Sequence, residues 1–180
     1  MASFHSEDGY FRATIPSVMS LREPLVNRLE KDMLRHNYDP QAARGMSTAL
    51  YEALNNAIEW GSIGGISKPV YVAWRLDDNG VRIDVIDTGK APLDCSRSLD
   101  TNILKPYQVV EVVSKRSRNA GLGIAMMRAC ADAVEFTELY GSDGKVGTRT
   151  RIIKKRTTSS QSVQAGQGTP QAAREDCFPR

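Results

Sequence analysis

The sequence predicts an α+β domain in which a mostly antiparallel sheet carries its helices on one face. Three observations lead there. Strand-like alternation and helical spacing come in runs of each kind rather than in strict succession. Two β-rich runs, Val70–Leu76 and Val81–Ile86, are joined by Asp77-Asp78-Asn79-Gly80, whose residues suit a hairpin turn. Two helical stretches, one to about His36 and one from Asp39-Pro40 to about Trp60, precede that hairpin.

In chain order, Phe11, Ala13 and Ile15 alternate with Arg12 and Thr14, a short strand closed by Pro16. Ser17 offers an N-cap to a first helix in which Val18, Leu21, Leu25, Leu29 and Met33 recur at helical spacing as far as about His36. Asp39-Pro40 places a capping side chain before a proline in the first turn, and Met46, Leu50, Ala53/Leu54 and Ala57 carry a second helix to about Trp60. Gly61 to Gly65 end it. After the hairpin, the stretch from Asp87 to about Asn119 is weakly periodic, the kind of long connection that is usually functional or mobile. Gly121–Asp132 reads as a third helix, and Val134–Thr137 and Val146–Ile153 as closing strands.

Composition narrows the function classes. Lys and Arg number 24 against 21 Asp and Glu, and a net charge of +3 is too small to indicate nucleic acid or acidic lipid. No apolar run approaches the roughly 18 residues of a membrane span, and the first residues lack a basic segment followed by an apolar one. Cys95, Cys130 and Cys177 have no C-x-x-C spacing and read as free thiols, so a cytoplasmic location is expected. From Thr157 to Arg180 the only large apolar side chains are Val163 and Phe178, too few to offset ordering entropy. The expected organisation is a folded domain over 1–156 and a disordered polar tail over 157–180. Arg149, Arg151, Lys154, Lys155 and Arg156 form a basic strand end, more naturally a solvated edge than a nucleic-acid contact.

Three short motifs carry possible chemistry, each with an ordinary reading beside it. Glu52 and Asn56 lie one helical turn apart and share a face, where a carboxylate and an amide could serve a hydrated Mg²⁺ and a hydroxyl; a solvated helix face is the plain alternative. Asp87-Thr88-Gly89 follows a strand, where aspartate can accept from an exocyclic amine and glycine permits close approach; an ordinary turn has the same residues. Gly121-Leu122-Gly123 opens a helix, exposing N–H groups suited to phosphate, with Lys115, Arg116 and Arg118 upstream; a flexible helix entry reads alike. Neither a Walker A loop nor a full Rossmann fingerprint occurs.

Taken together and in this order, Glu52-Ala53-Leu54-Asn55-Asn56-Ala57, Asp87-Thr88-Gly89, Gly121-Leu122-Gly123 and the closing Gly147-Thr148-Arg149-Thr150 resemble the GHKL (histidine kinase and gyrase-like) ATP-binding family over roughly residues 8–155. The layout is most similar to the bacterial anti-sigma-factor serine kinases of the RsbW and SpoIIAB type. Histidine kinases carry a phosphoacceptor hairpin before this motif and gyrase-type ATPases a transducer domain after the body; with 51 residues before Glu52 and a polar stretch after the body, neither arrangement is expected. The resemblance implies a two-layer α/β sandwich, the Bergerat fold, on a mostly antiparallel mixed sheet. It implies ATP and Mg²⁺ as cofactors, and a homodimer that binds a sigma factor and phosphorylates a serine on an antagonist of the STAS fold. Asp87 would take the adenine amine, with Gly89 and Thr148 lining the base pocket. Asn56 would ligate Mg²⁺; Gly121, Leu122 and Gly123 would meet the phosphates, with Arg118 close by on a lid from about Leu93 to Asn119. Glu52 would be the general base. Trp60 stands where those kinases usually have His, and Ala91 where the second motif often has a further Gly. The alternative is a nucleotide-gated binding module without phosphotransfer.

Overall fold

The computed structural model describes residues 3–61, 68–89 and 122–156. Six strands form one sheet in the order β1-β2-β3-β4-β6-β5. They are β1 (Ser3–Glu7), β2 (Tyr10–Pro16), β3 (Pro69–Asp77), β4 (Gly80–Asp87), β5 (Ala133–Gly141) and β6 (Gly144–Lys155). Every pairing among them is antiparallel, so the described sheet is not mixed. The described α-helices are α1 (Arg22–Arg35), α2 (Pro40–Asn56) and α3 (Leu122–Cys130).

Alternation decides which face of the sheet meets the helices. In β3, Val70, Val72, Trp74 and Leu76 are buried while Tyr71 and Arg75 are exposed. Phe11, Ala13 and Ile15 of β2 and Val81, Ile83 and Val85 of β4 continue that apolar face. Against it lie Leu25, Leu29 and Met33 of α1, then Ala43, Met46, Ala49, Leu50, Ala53 and Leu54 of α2, at the spacing of one helical stripe. Trp74 stacks on Phe11 with ring centroids 3.9 Å apart and donates its indole N–H to Asp32 Oδ2 at 3.3 Å. The helix-facing side of the sheet is thus a single apolar core under α1 and α2. No helix among the described residues is long and apolar enough to cross a membrane.

Three local expectations are corrected. Ser17 does not cap α1; its hydroxyl donates to the carbonyl of Lys68 at 2.5 Å, and a short 3₁₀ turn, Met19–Leu21, leads into a helix that begins at Arg22. β1 was not foreseen, because its five exposed residues, Ser-Phe-His-Ser-Glu, have no buried face to impose an alternating pattern. β5 and β6 run well beyond the expected strands and form one long hairpin. The second helix begins as predicted: Asp39 accepts from the N–H of Ala42 at 2.8 Å, with Pro40 in the first turn. Its far end is the informative one, for beyond Asn56 the chain continues as a π-helical turn, Ala57–Gly61.

Candidate nucleotide-binding site

The π-helical turn links two groups of side chains, one at each of its ends. At its start are Glu52 and Asn56 on the last two turns of α2. Their outer face is met by the first turn of α3. A Cβ placed on Gly123 would stand 2.9 Å from Glu52 Oε2 and 3.5 Å from Asn56 Oδ1. Only glycine lets the helix approach that closely without displacing the carboxylate. Gly123 therefore lies over the Glu52–Asn56 pair, which is half-buried rather than a solvated face. Burial pushes the Glu52 carboxyl above its usual range, a neighbouring Glu59 adds to this, and a hydrogen bond from Asn55 and the charge of Arg22 work against it.

At the far end of the turn is Gly61, which packs on the Asp87 side chain; a Cβ there would overlap the carboxylate. Gly89 in turn lies against the Gly61 carbonyl with no room for a side chain. These two backbone contacts bring the end of the turn onto the Asp-Thr-Gly segment. Asp87 closes β4, is 8 % exposed, and stands opposite Thr148 of β6, itself 6 % exposed. Its Oδ1 accepts from the N–H of Gly89 at 2.8 Å, and the Thr148 N–H also bonds the carboxylate. Burial raises the Asp87 carboxyl above its normal range, opposed by those two N–H groups and by Lys145. A buried carboxylate at a strand end, with acceptor capacity beyond its own loop, is suited to a ligand amine.

The structure thus draws together Glu52, Asn56 and Gly123 on one side, and Asp87, Gly89 and Thr148 on the other, with Leu122 preceding Gly123 at the start of α3. Arg118 and Gly121 lie outside the described residues, as do Ala91, the segment from about Leu93 to Asn119, and the side chain of Trp60. In the sequence Gly61 stands only at the end of the second helix and Gly147 only in the closing Gly-Thr motif. Gly61 packs on the side chain of Asp87 and Gly147 on its backbone carbonyl, and such close contacts leave no periodic trace in a sequence. Arg22 and Asn55 were missed for a similar reason, since the contact between them spans two helices.

Whether these residues suit Mg²⁺ turns on the donor set. Among the described residues no group of three or more His, Cys, Asp or Glu converges. Asn56 and Glu52 supply a neutral and an anionic oxygen, and Mg²⁺ characteristically takes one or two protein oxygens and fills its octahedron with phosphate and water. The residues fit that mode. The basic strand end is largely committed elsewhere: Arg151 pairs with Asp84 at 2.7 Å, Lys154 with Asp132 at 2.9 Å, and Arg156 with Asp78 at 3.4 Å.

Comparison with known proteins gives the same frame. No curated protein matches the sequence. Among solved structures, the RsbU and RsbW domains of a Mycobacterium tuberculosis protein superpose with a TM-score of 0.54 at 19% identity, covering 82% of this chain and 32% of that one. The chain therefore spans about a third of that protein. The SiaB–SiaC complex of Pseudomonas aeruginosa superposes with a TM-score of 0.60 at 15% identity, covering 79% of this chain and 88% of that one. At such identities these are likenesses of fold. Residues 20–154 match the model of the histidine kinase-like ATPase domain, and with most of its length accounted for in this way the chain belongs to that family.

Proposed function

We propose that this domain binds Mg-ATP and transfers the γ-phosphate to a serine of a STAS-type antagonist, and that it also binds a sigma factor, acting as a homodimer. Family membership supports ATP, and fold neighbours that include an RsbW domain and the SiaB–SiaC complex support a regulatory kinase setting. The observation that carries the catalytic part is the placement of Glu52. It sits one turn before Asn56, both meet Gly123, and its burial favours the basic, weakly acidic carboxylate that a general base requires.

In this reading Asp87 accepts the adenine amine, while Gly89 and Thr148 form the walls beside it. Asn56 offers its carbonyl oxygen to Mg²⁺, whose charge would neutralise the phosphates. Gly121, Leu122, Gly123 and Arg118 are the phosphate-side residues. Glu52 accepts the serine proton as the hydroxyl attacks. Phosphoryl transfer asks for positioning and charge neutralisation more than for covalent chemistry, which matches so small a set.

The test is labelled-phosphate transfer to a STAS-type protein from the same genome, run beside ATP binding. Glu52→Gln keeps shape and hydrogen bonding but removes the proton acceptor. Transfer should fall by about 10²–10⁴-fold with ATP affinity nearly unchanged. Transfer that survives the substitution removes Glu52 from the role. A wild type that binds Mg-ATP but labels no such partner would instead be a nucleotide-gated binding module.

A further inference from the structure

Two side chains beside Glu52 have no task in the mechanism above. Asn55 follows it by three residues, a spacing that shares a helix face and sets its amide beside the Glu52 carboxyl, where it offsets part of the effect of burial. A carboxylate only accepts, so the amide nitrogen of Asn55 must be the donor. That leaves the amide oxygen free to accept, and it does so from Nη1 of Arg22, the first residue of α1. Arg22 is itself held at two further points. Its Nε donates to the carbonyl of Met19 at 2.9 Å, and its guanidinium lies over the Tyr51 ring, 4.7 Å from the centroid.

The bonds form a directed chain from Arg22 through Asn55 to Glu52, and turning the Asn55 amide over would break both of its links at once. The 3₁₀ turn fixes Arg22, Arg22 fixes the amide, and the amide occupies Glu52. One helix thereby sets the orientation of a side chain on another. We propose that Arg22, acting through Asn55 and braced by Tyr51, is a positioning residue for phosphotransfer, holding the Glu52 carboxylate so that it can face the incoming hydroxyl. The proposal rests on the role given to Glu52 above.

The alternative task for an arginine here is direct contact with a partner protein, and a double-mutant cycle separates the two. Arg22→Met and Asn55→Leu should each lower kcat for transfer to the STAS-type protein by about 10–100-fold, the usual effect of loosening a group that orients a reacting one. KM for that protein and the affinity for ATP should stay within about twofold, a change of under half a kcal/mol by the constant that makes each tenfold about 1.4 kcal/mol. Arg22→Lys should recover part of the loss, because an ammonium can still donate to the amide oxygen. In a Glu52→Gln background Arg22→Met should cost nothing further. Additive losses, or a loss carried by KM for the protein substrate, would overturn the proposal in favour of a partner contact. If the wild type labels no partner at all, the kinase reading fails on that result alone. The relay is then read by NMR from the side-chain amide of Asn55, whose proton resonances should move in both Arg22→Met and Glu52→Gln. Resonances unmoved by either substitution would show that no such relay exists.

Discussion

Asp87→Asn isolates the adenine contact from everything else in the site. The native carboxylate is 8 % exposed and already accepts the N–H of Gly89 through Oδ1 at 2.8 Å. Asparagine can keep that bond with its single oxygen, but its second position becomes a donor. An adenine amine arriving there would meet N–H instead of oxygen. A hydrogen bond to a charged partner contributes about 1.5–3 kcal/mol, so ATP affinity should fall by roughly 10- to 150-fold. Guanine presents a carbonyl oxygen where adenine has its amine, so discrimination against GTP should shrink as well. Stability should move the other way. Burial raises the folded-state value above the reference of 3.8, so the folded chain holds this proton more tightly than the unfolded chain does. The associated stability is complete below about 3.8 and is lost as pH rises through the higher folded value. The wild type should therefore lose stability relative to Asp87→Asn as pH rises toward neutrality in the absence of nucleotide. Calorimetric titration with Mg-ATP and Mg-GTP, with melts at several pH values, measures both effects. Unchanged ATP affinity would remove Asp87 from the pocket. Parallel pH–stability curves would show that its burial carries no penalty.

Further outcomes follow from the glycine contacts and the chain end. Gly123→Ala places a methyl 2.9 Å from Glu52 Oε2, so the carboxylate must move; phosphotransfer should drop by about 10²-fold, with only a small change in Tm. Gly89→Ala forces a side chain into the Gly61 backbone, and overpacking of this kind costs about 1–3 kcal/mol, seen as a fall of several degrees in Tm. Asn56→Ala should lose most of the ATP-dependent thermal stabilisation at limiting Mg²⁺, with recovery as Mg²⁺ is raised. Truncation after Arg156 keeps β6 and the bond from Arg156 Nη2 to the His36 carbonyl, and should leave both Tm and nucleotide affinity unchanged.

What could be read from sequence alone had a physical signature over several residues. The β3–β4 hairpin was legible because burial on one face writes alternation into Val70–Leu76 and Val81–Ile86, and because Gly80, at φ 142°, takes a backbone conformation that other residues avoid. The start of α2 was legible because Asp39 and Pro40 act locally. β1 was not, since an exposed edge strand has no face to pattern. Nor was the start of α1, where Ser17 looked like a cap but is drawn to the Lys68 carbonyl 51 residues away in sequence. In the site, Glu52, Asn56 and Asp87 were recognisable through the order of short motifs. Their assembly depends on Gly61 against Gly89 and Gly123 against Glu52, contacts without periodicity that only the fold discloses.

The distribution of cost within the molecule also bears on function. Away from the site, sequence and fold agree: Trp74 on Phe11, Leu29 and Met33 of α1, and Met46 and Leu50 of α2 are apolar groups in the interior. Around the π-helical turn that agreement stops. Glu52 and Asp87 are carboxyls that burial pushes toward the neutral form, and apolar residues of similar size would remove both penalties. Gly61, Gly89 and Gly123 give up side-chain packing so that backbone can approach backbone and carboxylate. None of these choices improves the fold. In the proposed function they recover their cost when a ligand brings an amine to Asp87 and positive charge to the Glu52–Asn56 pair. A nucleotide with its metal supplies both at once, so ligand binding should stabilise this domain by more than contact area alone would suggest.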